Sequence, residues 1–282
     1  SLQLNFNATN NYIYDAFGSG EQLQIFDNFF NTGRPNHYHQ KLNATYNIPL
    51  DKFPFLDFIK ALDEVEGIER LRISSIEPNL LSNEIIDFTL LHAERFVPHF
   101  HIPLQSGSNR LLKAMRRKYE RELYAERVAY IKSLRPDCCI GVDVIVGFPG
   151  ETDEDFMETI EFLKDLDISY LHVFTYSERA NTGAPKLGEA VPMDVRRERS
   201  KQLHLLSDRK KRQFYSENVG SIRSVLFEQE EDEGIMYGFT ENYVKVKYTY
   251  QPDLVNTFQT IKLLELDRDG IMKCELVSLI NV

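Results

Sequence analysis

At 282 residues the chain is long enough for one α/β barrel-like domain with something smaller attached, and a net charge of −10 argues against a protein that coats nucleic acid indiscriminately. No apolar run approaches the length needed to cross a bilayer, and the polar first residues lack a signal-peptide pattern. Three cysteines, Cys138, Cys139 and Cys274, make no disulfide framework, which suits a reducing cytoplasm, and no C-x2-C or C-x3-C-x2-C is present.

Residues 1–52 are rich in Asn and poor in Lys and Arg. Short apolar stretches (Leu2–Phe6, Tyr12–Phe17, Leu23–Phe30) are separated by the turn signals Gly18-Ser-Gly20 and Asn31-Thr-Gly33. His37-Tyr-His39 has the look of a metal pair, but two histidines without further ligands read as surface residues. No function is assigned to this segment.

From Phe53 the pattern is regular. Apolar spacing predicts a helix over Phe55–Val65 that ends at Gly67, then a strand, Arg70-Leu-Arg-Ile-Ser-Ser-Ile-Glu-Pro78, ending in polar residues. Ser82 can cap a helix over 83–93. A second strand, from Pro98, runs into the polar turn Gln105-Ser-Gly-Ser108, and helices follow over 109–117 and 122–134. The β-branched run Val142–Val146 marks a strand covered on both faces, over 139–147. It breaks at Gly147, Pro149 and Gly150, and Thr152 or Asp153 can cap a helix over 153–166 whose acidic first turn suits its positive end. Tyr170–Tyr176 is a fourth strand. Strand alternating with helix four times predicts parallel βαβ units with right-handed crossovers.

A basic amphipathic helix is expected over about 192–215, where residues 194–213 carry eight Lys or Arg against three acids. Such a helix can contact phosphates even in an acidic molecule, or it can be a solvated face. Beyond Asn218 come five short strands, 221–228, 234–240, 243–250, 257–266 and 271–280, parted by Gly and Asn turns. These form a small antiparallel barrel of the kind often used to hold RNA. The expected organisation is 1–52 unassigned, 53–216 an α/β partial barrel and 217–282 a β-barrel.

All four strands end in small or polar residues, where a parallel sheet presents ligands. The candidates are Ser74, Ser75 and Glu77; Gln105, Ser106 and Ser108; Asp143 and the Gly147 turn; and Thr175, Ser177 and Glu178. Gln105 and Ser106 can bond ribose hydroxyls, and Ile145 with the backbone near Val173 and Phe174 can sandwich an adenine ring. Arg117 can pair a carboxylate in bidentate fashion. Ordinary roles compete: Ser75 and Glu77 as a strand end, Arg116 to Lys118 as a solvated face, Tyr119 and Phe100 as core. His99 and His101 lie on one face of a strand, packed or hydrogen-bonded rather than metallated. For acid–base chemistry Asp143 and Glu77 are the candidates.

The runs His101-Ile-Pro-Leu-Gln-Ser-Gly-Ser108, Leu111-Leu-Lys-Ala-Met-Arg-Arg-Lys-Tyr119 and Gly141-Val-Asp-Val-Ile-Val-Gly-Phe-Pro-Gly-Glu-Thr152 closely resemble the radical S-adenosylmethionine methylthiotransferases. Arg72-Ile-Ser-Ser-Ile-Glu-Pro78 and His172-Val-Phe-Thr-Tyr-Ser-Glu-Arg179 extend the likeness. It is nearest to the branch that methylthiolates threonylcarbamoyladenosine beside the tRNA anticodon. Over about 55–280 the resemblance implies a partial (β/α)6 barrel and, through Gly234-Ile-Met-Tyr-Gly-Phe-Thr-Glu-Asn-Tyr-Val244, a TRAM-like C-terminal barrel.

It also implies S-adenosylmethionine at Ser75, Glu77, Gln105, Ser106, Arg117, Asp143, Ile145, Gly147, Val173 and Phe174. A tRNA partner, rather than DNA or a membrane, would meet Arg209, Lys210, Lys211, Lys245 and Lys247. Family members carry two 4Fe–4S clusters fed by an electron donor, yet the C-x3-C-x2-C motif is absent here and Cys138–Cys139 are too few and wrongly spaced to replace it. The expectation is therefore an incomplete chain, inactive on its own, with a non-catalytic RNA-binding module as the rival reading.

Overall fold

A computed structural model describes residues 55–178 and 188–277; the readings made for residues 1–52 lie outside them. Its elements are α1 (Phe55–Asp63), β1 (Leu71–Ile73), α2 (Asn83–Asp87), β2 (Phe96–Gln105), α3 (Asn109–Ala114), α4 (Arg121–Leu134), β3 (Cys139–Val146), α5 (Asp153–Asp165), β4 (Tyr170–Thr175) and α6 (Met193–Glu217). The strands β5 (Ile222–Asp232), β6 (Ile235–Thr240), β7 (Lys245–Thr249), β8 (Phe258–Leu266) and β9 (Met272–Leu276) follow among the described residues. Several expectations shorten, among them the helix read over 109–117, which ends at Ala114. The strand read over 70–78 keeps only three paired residues, and the helix read over 83–93 stops at Asp87 and continues as a π-helical turn, Phe88–His92.

The described chain gathers into two units. One holds residues 55–74, 87–99 and 215–277, the other residues 75–86, 100–178 and 188–214. β1 to β4 form one sheet in chain order. The direction of β1 and β2 follows from Leu71 N–H donating to Arg95 O and Ile76 N–H to His101 O, pairs that advance together as parallel strands do. β3 and β4 are parallel from Gly141↔Tyr170 to Val146↔Thr175.

In the second unit, Phe100, Ile102, Leu104, Val142 and Val144 are fully buried and make one face of the sheet. Tyr124 of α4, also fully buried, donates to Ile102 O at 2.9 Å and so keeps its hydroxyl satisfied inside that core. Thr152 caps α5 through a capping box with Asp155, fixing the chain as it leaves the Gly147 turn.

In the first unit, β5-β6-β7-β9-β8 close into a five-stranded barrel, with β5 pairing both β6 and β8; it is not antiparallel throughout as expected, because β7 and β9 pair parallel. Closure removes the edges a short-stranded sheet would otherwise expose. Alternation along each strand fills its interior with Val225, Phe227, Met236, Val246, Ile261, Leu263 and Met272. Tyr243, just before β7, is stacked between Phe239 at 4.7 Å and His99 at 4.4 Å, with the Arg72 guanidinium over its ring.

Candidate functional site

Side chains alternate across a strand, so one face of β3 shows Asp143 and Ile145 while Val142, Val144 and Val146 are buried behind. Register pairs Asp143 with His172 and Ile145 with Phe174, placing these four on the same open face. β2 adds His101 and Gln105, its two partly open residues. Phe174 is 51% exposed.

Asp143 is the electrostatic centre of that face. His101 Nε2 lies 2.7 Å from its Oδ1, and His172 Nδ1 lies 3.4 Å away. Burial pushes the Asp143 carboxyl up, but the two imidazoles outweigh it and hold the group at about 2. The carboxylate is therefore ionised at neutral pH and can only accept from the ring nitrogens that face it.

Two of the strand ends carry strained backbone: Ser75 (φ 56) after β1 and Gln105 (φ 70) at the end of β2 are left-handed without being glycine, as is Arg116 (φ 59) after α3, at a cost of order 1–2 kcal/mol each. The turn after β2 is held rigidly. Ser108 Oγ donates to Asp155 at 2.7 Å, Arg110 reaches both Asp155 and the carbonyl of Gly150, and Gly107 N–H donates to Thr159. Burial raises the Asp155 carboxyl, yet Arg110, the Thr152 N–H and Ser108 hold it well below the usual range.

Gly147 (φ 77) ends β3, and its N–H donates to Glu151 Oε2 at 3.0 Å. A Cβ here would sit 2.4 Å from Arg196 Cγ. Arg196 in turn donates to Val191 O, Tyr176 O and Glu178. Glu151 forms a buried pair with Arg199, yet burial leaves its carboxyl raised.

The expected site residues therefore divide. Ser75, Glu77, Gln105, Asp143, Ile145, Gly147 and Phe174 lie along the ends or open face of the sheet, and Arg117, in the turn after α3, reaches them through Glu77. Ser106 does not face it: the buried hydroxyl sits 3.3 Å from Thr159 and accepts from Ser108 N–H. Val173 pairs with Val144, on the opposite face from Phe174. Arg117 is not a free fork, because Nη1 already donates to Glu77 at 2.5 Å, although its buried Nε makes no hydrogen bond. Tyr119 and Phe100 are core, as expected.

His99 and His101 do not act together. His99 stacks on Tyr243, and His101 joins Asp143 and His172. Sequence reasoning missed that trio because His172 stands on another strand. The alternation of Tyr170, His172 and Phe174 was the available signal.

On the basic helix the exposed cations are Arg197, Lys201, Arg209 and Arg212, whose spacing keeps them within about a third of the helix circumference. Lys210 is turned inward instead, donating to the carbonyls of Lys164 (2.7 Å) and Leu166 (2.6 Å), and Lys211 is half-buried. Arg196 and Arg199 are buried in their own ion pairs. On the barrel, Lys245 lies over the Tyr237 ring at 4.7 Å and Lys247 pairs with Asp267.

A cavity of about 360 Å³ is lined in part by Arg199, the partner of Glu151. It is between the first turns of α5 and α6, lined by Phe156, Met157 and Val195 beside Asp153, Glu198 and Gln202.

The cysteines do not fit an iron–sulfur cluster. Cys138, Cys139 and Cys274 are all buried, and burial pushes the Cys138 thiol far up and that of Cys274 to about 12, whereas a cluster needs thiolates.

Residues 31–163 match the radical SAM superfamily. A threonylcarbamoyladenosine tRNA methylthiotransferase of Bacillus subtilis (strain 168) is 39% identical over 78% of this chain and 50% of its own length. One from Aquifex aeolicus (strain VF5) is 43% identical over 66% of this chain and 44% of its own. A tRNA-2-methylthio-N(6)-dimethylallyladenosine synthase of Desulfitobacterium hafniense (strain Y51) is 34% identical over 79% and 48%. The chain thus spans about half the length of the curated relatives it matches.

Proposed function

The chain belongs to the radical S-adenosylmethionine tRNA methylthiotransferase family, and from that premise we propose that it is the cofactor- and RNA-holding part of an enzyme that 2-methylthiolates N6-threonylcarbamoyladenosine next to the tRNA anticodon. The observation that carries this reading is the row of polar residues at the ends of neighbouring strands, two of them, Ser75 and Gln105, on left-handed backbone. Backbone strain persists where surrounding structure enforces it, and the ends of such strands are where these sheets hold ligands.

The residues at those ends fit S-adenosylmethionine. Gln105, turned out by its left-handed backbone, is placed for ribose hydroxyls. Ile145 and Phe174, in register, offer an apolar bed for adenine. Arg117, steadied by Glu77, keeps an unused Nε–H for a carboxylate. When bound, S-adenosylmethionine supplies the methyl group and the adenosyl precursor of the radical. The chain's own part is to bind, orient and exclude water. Ser75 and Gly147 shape the cleft, while Ser106 acts from behind by fixing the turn that carries Gln105. Asp143 sits beneath, holding two imidazoles.

We assign tRNA to the exposed stripe Arg197, Lys201, Arg209 and Arg212, and to Lys245 and Lys247 on residues 217–282, a TRAM-like RNA-binding barrel. A stripe of four cations gives a salt-dependent hold without making the whole molecule basic. Cys138, Cys139 and Cys274 do not fit a cluster, so the part of the reaction we assign to these residues is binding and orientation.

Disruption of the gene, followed by mass spectrometry of tRNA nucleosides, tests the proposal. The methylthio group on threonylcarbamoyladenosine should vanish and return on complementation. Unchanged nucleosides, with tRNA binding retained, would instead make the protein a non-catalytic RNA-binding module.

A further inference from the structure

His101 of β2, Asp143 of β3 and His172 of β4 converge on one face of the sheet: Asp143 Oδ1, on a side chain only 14% exposed, lies 2.7 Å from His101 Nε2 and 3.4 Å from His172 Nδ1. Two imidazoles and a carboxylate brought this close are a donor set that a metal ion can take up.

We propose that His101, Asp143 and His172 form a binding site for one divalent transition-metal ion of the zinc or ferrous class, separate from any iron–sulfur cluster. Their donor atoms all lie within 4.8 Å of one another. In a tetrahedral zinc site, metal–ligand bonds of about 2.0–2.2 Å put ligand atoms roughly 3.3 Å apart. The His172–Asp143 separation of 3.4 Å already matches, and the His101–Asp143 separation of 2.7 Å needs an opening of a few tenths of an ångström.

The scaffold is suited to holding such a set. The ligands come from three neighbouring strands, β2, β3 and β4, and Asp143 and His172 are direct register partners, so strand pairing fixes their spacing. Two imidazole nitrogens and one carboxylate oxygen favour Zn²⁺ or Fe²⁺ over Mg²⁺ or Ca²⁺, which take oxygen ligands. Three protein ligands leave a position for water or a substrate atom, and the half-exposed His172 provides the path of entry. The Tyr170 ring, 5.1 Å from that of His172, and the His101 ring, edge-on at 5.0 Å, restrict how far the imidazole can swing.

The test uses the untagged 282-residue chain, stripped with chelator and titrated with Co²⁺ while visible ligand-field bands are recorded, then with Zn²⁺ in competition. One Co²⁺ per chain is expected, with nitrogen–oxygen bands and no thiolate charge-transfer band. His172→Ala should weaken binding at least about tenfold, since even outer-shell changes at metal sites cost that much, and Asp143→Asn should do the same. His204→Gln, an exposed histidine elsewhere, should change nothing. His172 is half-exposed, so its replacement is expected to leave the circular dichroism spectrum intact. Absence of stoichiometric binding, equal affinity in His172→Ala, or a thiolate band would overturn the proposal. Neither S-adenosylmethionine nor RNA is present, so this outcome is independent of the tRNA reading.

Discussion

Replacing Gly147 by alanine tests how the β3–α5 turn is built. Two effects add. The residue has φ 77, which costs a non-glycine about 1–2 kcal/mol. The new Cβ would also lie 2.4 Å from Cγ and 2.7 Å from Cδ of Arg196, so that buried side chain must shift. Its hydrogen bonds to Val191 O (2.7 Å), Tyr176 O (2.9 Å) and Glu178 (2.6 Å) would weaken, each contributing about 1 kcal/mol net. The expected loss is about 2–4 kcal/mol. Gly67→Ala is the matched control: φ is 83, but nothing lies within 4 Å of its Cβ, so about 1–2 kcal/mol is expected. Urea unfolding followed by circular dichroism, with amide exchange on peptides covering 141–151, reads both variants. Equal losses would refute the claim that Arg196 packs against Gly147.

Four further outcomes follow from the same contacts. Asp143→Asn should flatten the acid limb of the stability curve, because a carboxyl lowered from 3.8 to about 2 contributes stability above pH 3.8 that is lost as pH falls toward 2; an unchanged acid melt would contradict the pairing with His101 and His172. Arg199→Met leaves Glu151 buried without its partner and should cost about 3–5 kcal/mol, whereas Glu151→Gln with Arg199→Met should cost less, as a double-mutant cycle in urea will show. Charge reversal at Arg197, Lys201, Arg209 and Arg212 should weaken tRNA binding and flatten its salt dependence in filter-binding assays, while Lys210→Ala should lower stability and leave the salt slope alone. Cys138, Cys139 and Cys274 should react with a thiol reagent only as fast as the chain opens, since burial raises the thiols of Cys138 and Cys274.

Strands and helices were legible where local pattern decides them. The valines of β3, the capping residues Thr152 and Ser82, and the switch to short alternating strands after Asn218 each announce their element. The break of α2 into a π-helical turn at Phe88 left no such mark, because 3.6-residue spacing continues through it. The direction of individual side chains was less readable. Ser106 and Gln105 are neighbours with similar chemistry, yet the left-handed backbone of Gln105 sends them different ways. Lys210 looks like its basic neighbours until α5 ends beside it. His172 meets Asp143 through strand register, which depends on the whole sheet rather than on either sequence.

Calorimetric titration of S-adenosylhomocysteine, which keeps the adenosyl and amino-acid ends of the cofactor, into the 282-residue chain tests the cofactor cleft most directly. A single saturable site is expected, weakened by Gln105→Ala and by Arg117→Met while both variants remain folded. No saturable binding at millimolar ligand, or identical affinity in both variants, would contradict an adenosyl site at the ends of β1 to β4.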